Sequence, residues 1–67
     1  MAKIQLNGRK LELSSKNSIA TLLKKYKMND KKIAVELNNK IRNRNTYKLI
    51  YIKNKDKVEI VHFIGGG

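Results

Sequence analysis

A chain of 67 residues forms one small domain. Because a domain of this size buries only about 60% of its unfolded surface, it has little room for a catalytic cleft, which argues against an independent enzyme. The sequence has no cysteine and a single histidine, so it excludes a disulfide framework and predicts no bound metal.

Membrane and secretory segments are not predicted either. No apolar run approaches the roughly 18 residues that cross a bilayer. The first residues lack the apolar stretch and the cleavage site of a secretory signal. We therefore expect a cytoplasmic protein.

The chain is strongly basic, with 16 Lys and Arg against 5 Asp and Glu and a net charge of +11. Such a charge attracts nucleic acid, anionic membranes or acidic proteins. The basic residues are scattered over the whole chain, which favours a lysine-covered surface that keeps the protein soluble. Aromatic residues that could stack on bases are few, and no helix-turn-helix, RNP or zinc motif is present, so nucleic-acid binding is the less favoured function.

The first two predicted elements form a β-hairpin. Residues 3–7 and 9–13 alternate polar and apolar side chains, as half-buried strands do. Asn7 and Gly8 lie between them, and Asn-Gly suits the positive φ angles of a type I′ turn.

The next element is predicted to be a helix that follows a polar loop over residues 14–17. Ile19, Leu22, Leu23 and Tyr26 recur at helical spacing, so we expect all four side chains to face the core. Asn17 or Ser18 could cap the N-terminus of the helix. Lys24, Lys25 and Lys27 lie near the C-terminal end of the helix, where positive charge complements the helix dipole. Residues 28–30 are predicted to form the turn that follows the helix.

The second half of the chain is mainly extended. Alternation predicts a strand over residues 33–37, an Asn38-Asn39 turn and a brief return strand over residues 40–41. Residues 42–47 are polar and predicted as a loop, whereas residues 49–52 fit either a short strand or a packed loop. After a turn over residues 54–57, residues 58–64 are the most β-prone stretch. One helix on one face of a small mixed sheet, of the α+β class, is expected.

Three glycines, Gly65, Gly66 and Gly67, follow directly on this last strand. Glycine has no side chain, so such a tail can thread a narrow channel and adopt backbone angles that other residues avoid. Its carboxylate is an acyl group that a partner enzyme could activate as an acyl-adenylate and a sulfur nucleophile could then attack. A protein without cysteine could carry sulfur in this way.

The sequence resembles the ThiS sulfur carriers of thiamine biosynthesis over almost its whole length. The resemblance includes residues 3–8 (KIQLNG) and residues 18–23 (SIATLL). It is more specific over residues 33–38 (IAVELN). The next residue is Asn39, at a position where the family often has glycine. The closing run, residues 56–67 (DKVEIVHFIGGG), resembles the end of the family pattern.

The resemblance implies a β-grasp, ubiquitin-like fold, with a domain over residues 1–64 and a flexible glycine tail over residues 65–67. It implies that a ThiF-type, E1-like adenylyltransferase uses ATP to activate the carboxylate of Gly67. Sulfur supplied through a cysteine desulfurase would then form a thiocarboxylate, which a ThiG-type thiazole synthase would use to build thiazole. The chain itself is expected to be a monomeric carrier with no bound cofactor rather than an enzyme.

A partner-binding surface is predicted on the last strand. Val61 and Phe63 should share one face of it, opposite Val58, Ile60 and His62. With a single helix in the fold, one sheet face stays open, so we predict that Val61, Phe63 and Ile64 contact partners. The alternative is that Val61 and Phe63 pack under the loop over residues 42–51. His62 is interpreted as a surface residue, since no triad partner accompanies it.

Three other functions stay open at this point. A molybdopterin-synthase small subunit or a carrier for tRNA thiolation would have the same fold and a glycine tail. A basic nucleic-acid-binding module belongs to another class. The short chain and the run over residues 58–67 favour the thiamine carrier.

Overall fold

The computed structural model describes residues 2–13 and 16–62. In chain order the elements are β1 (Ala2–Leu6), β2 (Arg9–Leu13), β3 (Asn17–Ser18), α1 (Ile19–Lys25), β4 (Ile33–Leu37), β5 (Lys40–Arg42), a 3-10 helix (Arg44–Thr46), β6 (Tyr51–Ile52) and β7 (Lys57–His62). The predictions made for Ser14, Phe63, Ile64 and the tail of Gly65, Gly66 and Gly67 lie outside the described residues.

Five strands form one mixed sheet in the order β2-β1-β7-β4-β5. β7 is its central strand, parallel to β1 on one side and antiparallel to β4 on the other. The short strands β3 and β6 pair with each other in a separate two-stranded sheet. The mixed sheet with one α-helix is confirmed, and the ambiguous residues 49–52 include strand β6.

Both predicted tight turns are confirmed. Asn7 and Gly8 have φ of 50° and 81°, and the strands that they join pair antiparallel. Asn38 and Asn39 have φ of 52° and 70° and join β4 to β5 in the same way. Two consecutive positive φ angles define a type I′ turn, which matches the twist of the flanking strands and which asparagine and glycine tolerate.

Helix α1 begins at the cap that Ser18 provides. The Ser18 Oγ accepts a hydrogen bond from the Thr21 backbone N–H at 3.1 Å. Ser18 is thus the better of the two predicted caps, because its neighbour Asn17 is buried in β3 opposite Ile52. The prediction of a polar loop extending through Asn17 is therefore wrong at its last residue, which tertiary pairing draws into a strand.

Two loop carbonyls complete the start of the helix. The Ile19 N–H donates to the Ile50 carbonyl at 2.9 Å, and the Ala20 N–H donates to the Tyr47 carbonyl at 3.0 Å. The first N–H groups of any helix have no partner within it, so these bonds satisfy donors that would otherwise need water. A helix of only 7 residues is marginal alone and depends on such contacts.

The helix ends in a left-handed residue. Tyr26 is the C-cap, Lys27 has φ of 56°, and the Met28 N–H donates to the Leu23 carbonyl at 2.9 Å. The Lys27 N–H donates to the Lys24 carbonyl at 3.1 Å. This pair of bonds is a Schellman motif, in which glycine usually occupies the left-handed position.

The helix packs its apolar side onto one face of the sheet. Ile19, Leu22 and Leu23 are buried, as predicted. They belong to one core cluster that also contains Ile4, Leu13, Ile33, Val35, Leu37, Tyr47, Ile52, Val58 and Ile60.

Two tyrosines differ from the sequence prediction. Tyr26 is 39% exposed, because it lies at the C-cap, where the helical backbone angles stop and the helical spacing no longer sets direction. Tyr47 belongs to the predicted polar loop over residues 42–47 but is 3% exposed and part of the core. Burial raises the pKa of its phenol above the ordinary value, and a backbone hydrogen bond at Val35 opposes that rise.

We predict that Lys27→Gly raises the free energy of unfolding by about 1 kcal/mol, since a left-handed backbone costs a residue with a side chain roughly that much. Chemical denaturation measures this change. The matched control is Lys25→Gly inside α1, which should lower stability by about 1 kcal/mol. If both substitutions changed the free energy of unfolding in the same direction and by the same amount, Lys27 would not lie at a strained backbone position.

Candidate partner-binding face and carrier tail

Strand β7, which leads to the glycine tail, is held from both sides. On one side it pairs with β4 along its length from Val58 to His62. On the other side, β1 pairs with Lys57 and Val58 and then ends. The backbone of β7 is therefore fixed up to His62, and the predicted tail starts three positions later in the sequence.

Asn7 closes the β1 side of this strand. Its side-chain Oδ1 accepts a hydrogen bond from the Ile60 N–H at 2.7 Å, and its own N–H donates to the Val58 carbonyl at 2.9 Å. The type I′ turn at Asn7-Gly8 thus both reverses the first hairpin and binds the last strand. Sequence reasoning found the turn but missed this second contact, because its partner lies 53 residues away.

Side chains of β7 alternate between the core and solvent. Val58 and Ile60 are 0% and 6% exposed and face the helix, whereas Val61 is 53% exposed on the opposite side. The predicted side for Val61 is confirmed, and its role in partner binding stays a prediction. Phe63 and Ile64, the other two residues predicted to contact partners, lie outside the described residues.

The alternative, in which Val61 and Phe63 pack under the loop over residues 42–51, is wrong for Val61 and stays untested for Phe63. That loop contacts the start of the helix, where the carbonyls of Tyr47 and Ile50 accept from its first N–H groups. Val61 lies on the opposite side of the sheet from the core residues Val58 and Ile60, and half of its surface is exposed. His62 is exposed as well, as expected for a surface residue.

Strand register defines the composition of the sheet face that the helix leaves uncovered, which we call the open face. Residues directly opposite each other on paired strands project to the same side. Val61 lies opposite Ala34, Glu59 opposite Glu36, and Glu36 opposite Ile41. On β1, β2 and the start of β7 the open face carries Lys3, Gln5, Lys10, Glu12 and Lys57.

The open face has an apolar region at the end of the sheet from which the tail leaves. Ile41 is 73% exposed and Val61 is 53% exposed, and Ala34 lies between their two strands on β4. Exposed aliphatic side chains that cluster on one face are typical of protein contact sites. The described geometry therefore places an apolar surface beside the last strand residues before the tail.

Other kinds of site find little support in the part of the chain that the structure describes. Within residues 2–13 and 16–62, no group of three or more His, Cys, Asp or Glu side chains could hold a metal ion. No helix within the same ranges is long and apolar enough to cross a membrane.

We predict that Asn7→Gly weakens β7 without breaking the turn, because glycine keeps the positive φ but removes the Oδ1 acceptor. Leaving the partly buried Ile60 N–H without a partner should lower stability by about 1–3 kcal/mol. Amide hydrogen exchange should report faster exchange at Ile60. Asn7→Asp, which keeps an acceptor oxygen, is the control, and equal protection in both variants would rule out this role of Asn7.

Comparison with known proteins identifies the family. The ThiS family model matches residues 3–67. The sulfur carrier protein ThiS of Bacillus subtilis is 35% identical over 65 residues, which cover 96% of this chain and 98% of that protein. A thiazole synthase of Magnetococcus marinus is 37% identical over 65 residues, which cover 97% of this chain, but the chain spans only 20% of that protein's length.

A solved structure supports the same conclusion at the level of the fold. The crystal structure of the thiamine biosynthesis protein ThiS from Geobacter metallireducens superimposes with a TM-score of 0.84 at 26% identity, covering 97% of this chain and 99% of that one. The β-grasp fold expected from the sequence is therefore confirmed. The chain belongs to the ThiS family.

Proposed function

We propose that this chain carries sulfur as a thiocarboxylate on Gly67 and donates it to thiazole formation in thiamine biosynthesis. The carboxylate of Gly67 attacks the α-phosphorus of ATP on a ThiF-type adenylyltransferase, and pyrophosphate leaves. A hydrosulfide-equivalent nucleophile then attacks the acyl-adenylate, and AMP leaves with the carboxylate oxygen. One oxygen of the carboxylate is thereby replaced by sulfur.

The observation that carries this proposal is the match to the ThiS family over residues 3–67, which includes the three terminal glycines. The structure adds a physical reason for the arrangement. β7 is the central strand, and Asn7 and β4 hold it through Ile60 and His62 respectively. The folded body can serve as a handle while the glycines reach an active site in a partner.

The relatives support a thiazole synthase as the partner that receives the sulfur. Thiazole synthases of Magnetococcus marinus and Paramagnetospirillum magneticum contain a segment similar to 97% of this chain, which spans 20% of each of them. A carrier covalently joined to a synthase is always close to it, so its local concentration is high. We infer that the separate chain meets a ThiG-type synthase in the same way, without the covalent link.

The remaining partners complete the reaction sequence. A ThiF-type adenylyltransferase would supply activation with its own ATP, and a cysteine desulfurase would supply sulfur. The chain would act in the cytoplasm as a co-substrate with no bound cofactor, and its partners would be the enzymes. The names of the relatives favour thiamine biosynthesis over the molybdopterin and tRNA-thiolation alternatives.

Partner contact is proposed at Val61, Phe63 and Ile64. Val61 is exposed on the open face, and Phe63 and Ile64 are the residues that link β7 to the glycines. A partner that covers this surface would hold the start of the tail at the mouth of its own active site. Ile41 and Ala34 extend the same apolar surface across two further strands.

The intact mass of the chain after incubation with ATP, a ThiF-type adenylyltransferase and a sulfide source tests the carrier chemistry. We expect a gain equal to the mass difference between sulfur and oxygen, located on Gly67 by fragmentation. The matched control is the same chain with a C-terminal carboxamide, which folds alike but has no carboxylate to activate. Absence of both adenylate and thiocarboxylate, with an adenylyltransferase that modifies its own carrier, would refute the proposal.

A further inference from the structure

The open face differs in charge from the rest of the molecule. Its strand positions carry three lysines, which balance three glutamates: Lys3, Lys10 and Lys57 against Glu12, Glu36 and Glu59. The net charge of +11 is therefore carried entirely by the other residues of the chain. If lysines served only to keep the whole surface soluble, the open face should also carry a net positive charge, and its strand positions do not.

The three glutamates are not placed alike. Glu12 lies opposite Lys3, so a cation on the neighbouring strand accompanies it. Glu36 and Glu59 lie directly opposite each other on β4 and β7. Like charges at such opposed positions destabilise a sheet.

One basic residue lies near this pair: Lys57, two positions before Glu59 on the same face of β7. Within residues 2–13 and 16–62, neither the Glu36 nor the Glu59 carboxylate makes an ion pair with it or with another basic side chain. Both side chains are half-buried, so the repulsion is less screened than between fully exposed groups. Like charges that face each other across a pair of strands generally lower the stability of a sheet.

The residues next to Glu36 and Glu59 indicate what kind of molecular surface could contact the two carboxylates. Ile41 continues the row of Glu36 and Glu59 on the β5 side, and Ala34 and Val61 form the next row toward the tail. An apolar surface on two sides of two opposed carboxylates, with only Lys57 beyond them on β7, complements a protein surface that is apolar and carries a cationic side chain. Nucleic acid does not fit, because its phosphates would meet two carboxylates.

We propose that Glu36 and Glu59 recognise a basic side chain of the thiazole synthase, which docks on the part of the open face that β4, β5 and β7 form. This inference rests on the proposed function for the identity of the partner. The glutamate pair contributes specificity, since a partner without the cation would bury two repelling carboxylates. The apolar residues Ile41, Ala34 and Val61 contribute the desolvated area around it.

A double substitution that keeps side-chain shape, Glu36→Gln with Glu59→Gln, separates recognition from folding. Removing the repulsion should leave the denaturation midpoint unchanged or raise it. Binding to a ThiG-type thiazole synthase, measured by calorimetry with the full chain, should weaken at least about tenfold because the partner's cation loses its counter-charges. Glu12→Gln is the control on the same face, and this variant should bind the synthase with the same affinity as the original chain.

Several results would overturn the proposal. One is unchanged affinity of the double variant for the synthase, and another is a parallel loss of stability, which would indicate a structural role. Weakening only for the ThiF-type adenylyltransferase, for a nucleic-acid duplex or for self-association in sedimentation would assign the surface to a different occupant.

The outcome is distinguishable from failure of the carrier chemistry. The double variant keeps Gly67, so at saturating adenylyltransferase it should gain the same mass as the original chain. If the original chain binds the synthase through the pair but gains no sulfur, the recognition stands and the carrier proposal fails. If the mass gain occurs and the affinity does not change, the carrier proposal stands and the recognition fails.

Discussion

The central position of β7 is the constraint on which the rest of the structure depends. Its parallel pairing with β1 joins segments at opposite ends of the chain, with Leu6 opposite Val58. The bond from the Gln5 N–H to the Asp56 carbonyl and the bond from the Ile60 N–H to the Asn7 Oδ1 each span more than fifty residues. Such closure orders almost the whole chain at once, because the entropy of the intervening loop is lost in a single step.

The same closure fixes the last described strand. β1 pairs with β7 at Lys57 and Val58, and β4 pairs with it from Val58 to His62. The Asn7 side chain adds a bond to the Ile60 N–H where β1 has ended. The described part of β7 therefore has a bonded neighbour along its whole length.

The two sheet faces differ in cover and in charge. One face is covered by α1, whose first N–H groups are satisfied by Ser18 and by the carbonyls of Tyr47 and Ile50. The other face is not covered by α1, and its strand positions carry as many glutamates as lysines. The excess charge itself therefore says little about the docking surface, although it would influence how the protein approaches charged partners.

The sequence by itself determined the local elements and the family. Asn-Gly and Asn-Asn specify their turns through their own backbone preferences, and the spacing of Ile19, Leu22 and Leu23 specifies the buried helix face. The alternation of Val58, Ile60 and Val61 specifies which side of β7 faces solvent. All of these depend on neighbours within a few residues, so short windows contain the information.

Tertiary structure alone decided the features that join distant segments. Tyr47 is buried instead of Tyr26 because the loop closes over the start of the helix, while Tyr26 lies where the helical geometry ends. Asn17 enters a strand only because Ile52 lies opposite it. The opposed carboxylates of Glu36 and Glu59 meet only in the register of β4 with β7, and no local pattern encodes that register, because it is set by how the whole sheet buries its apolar face.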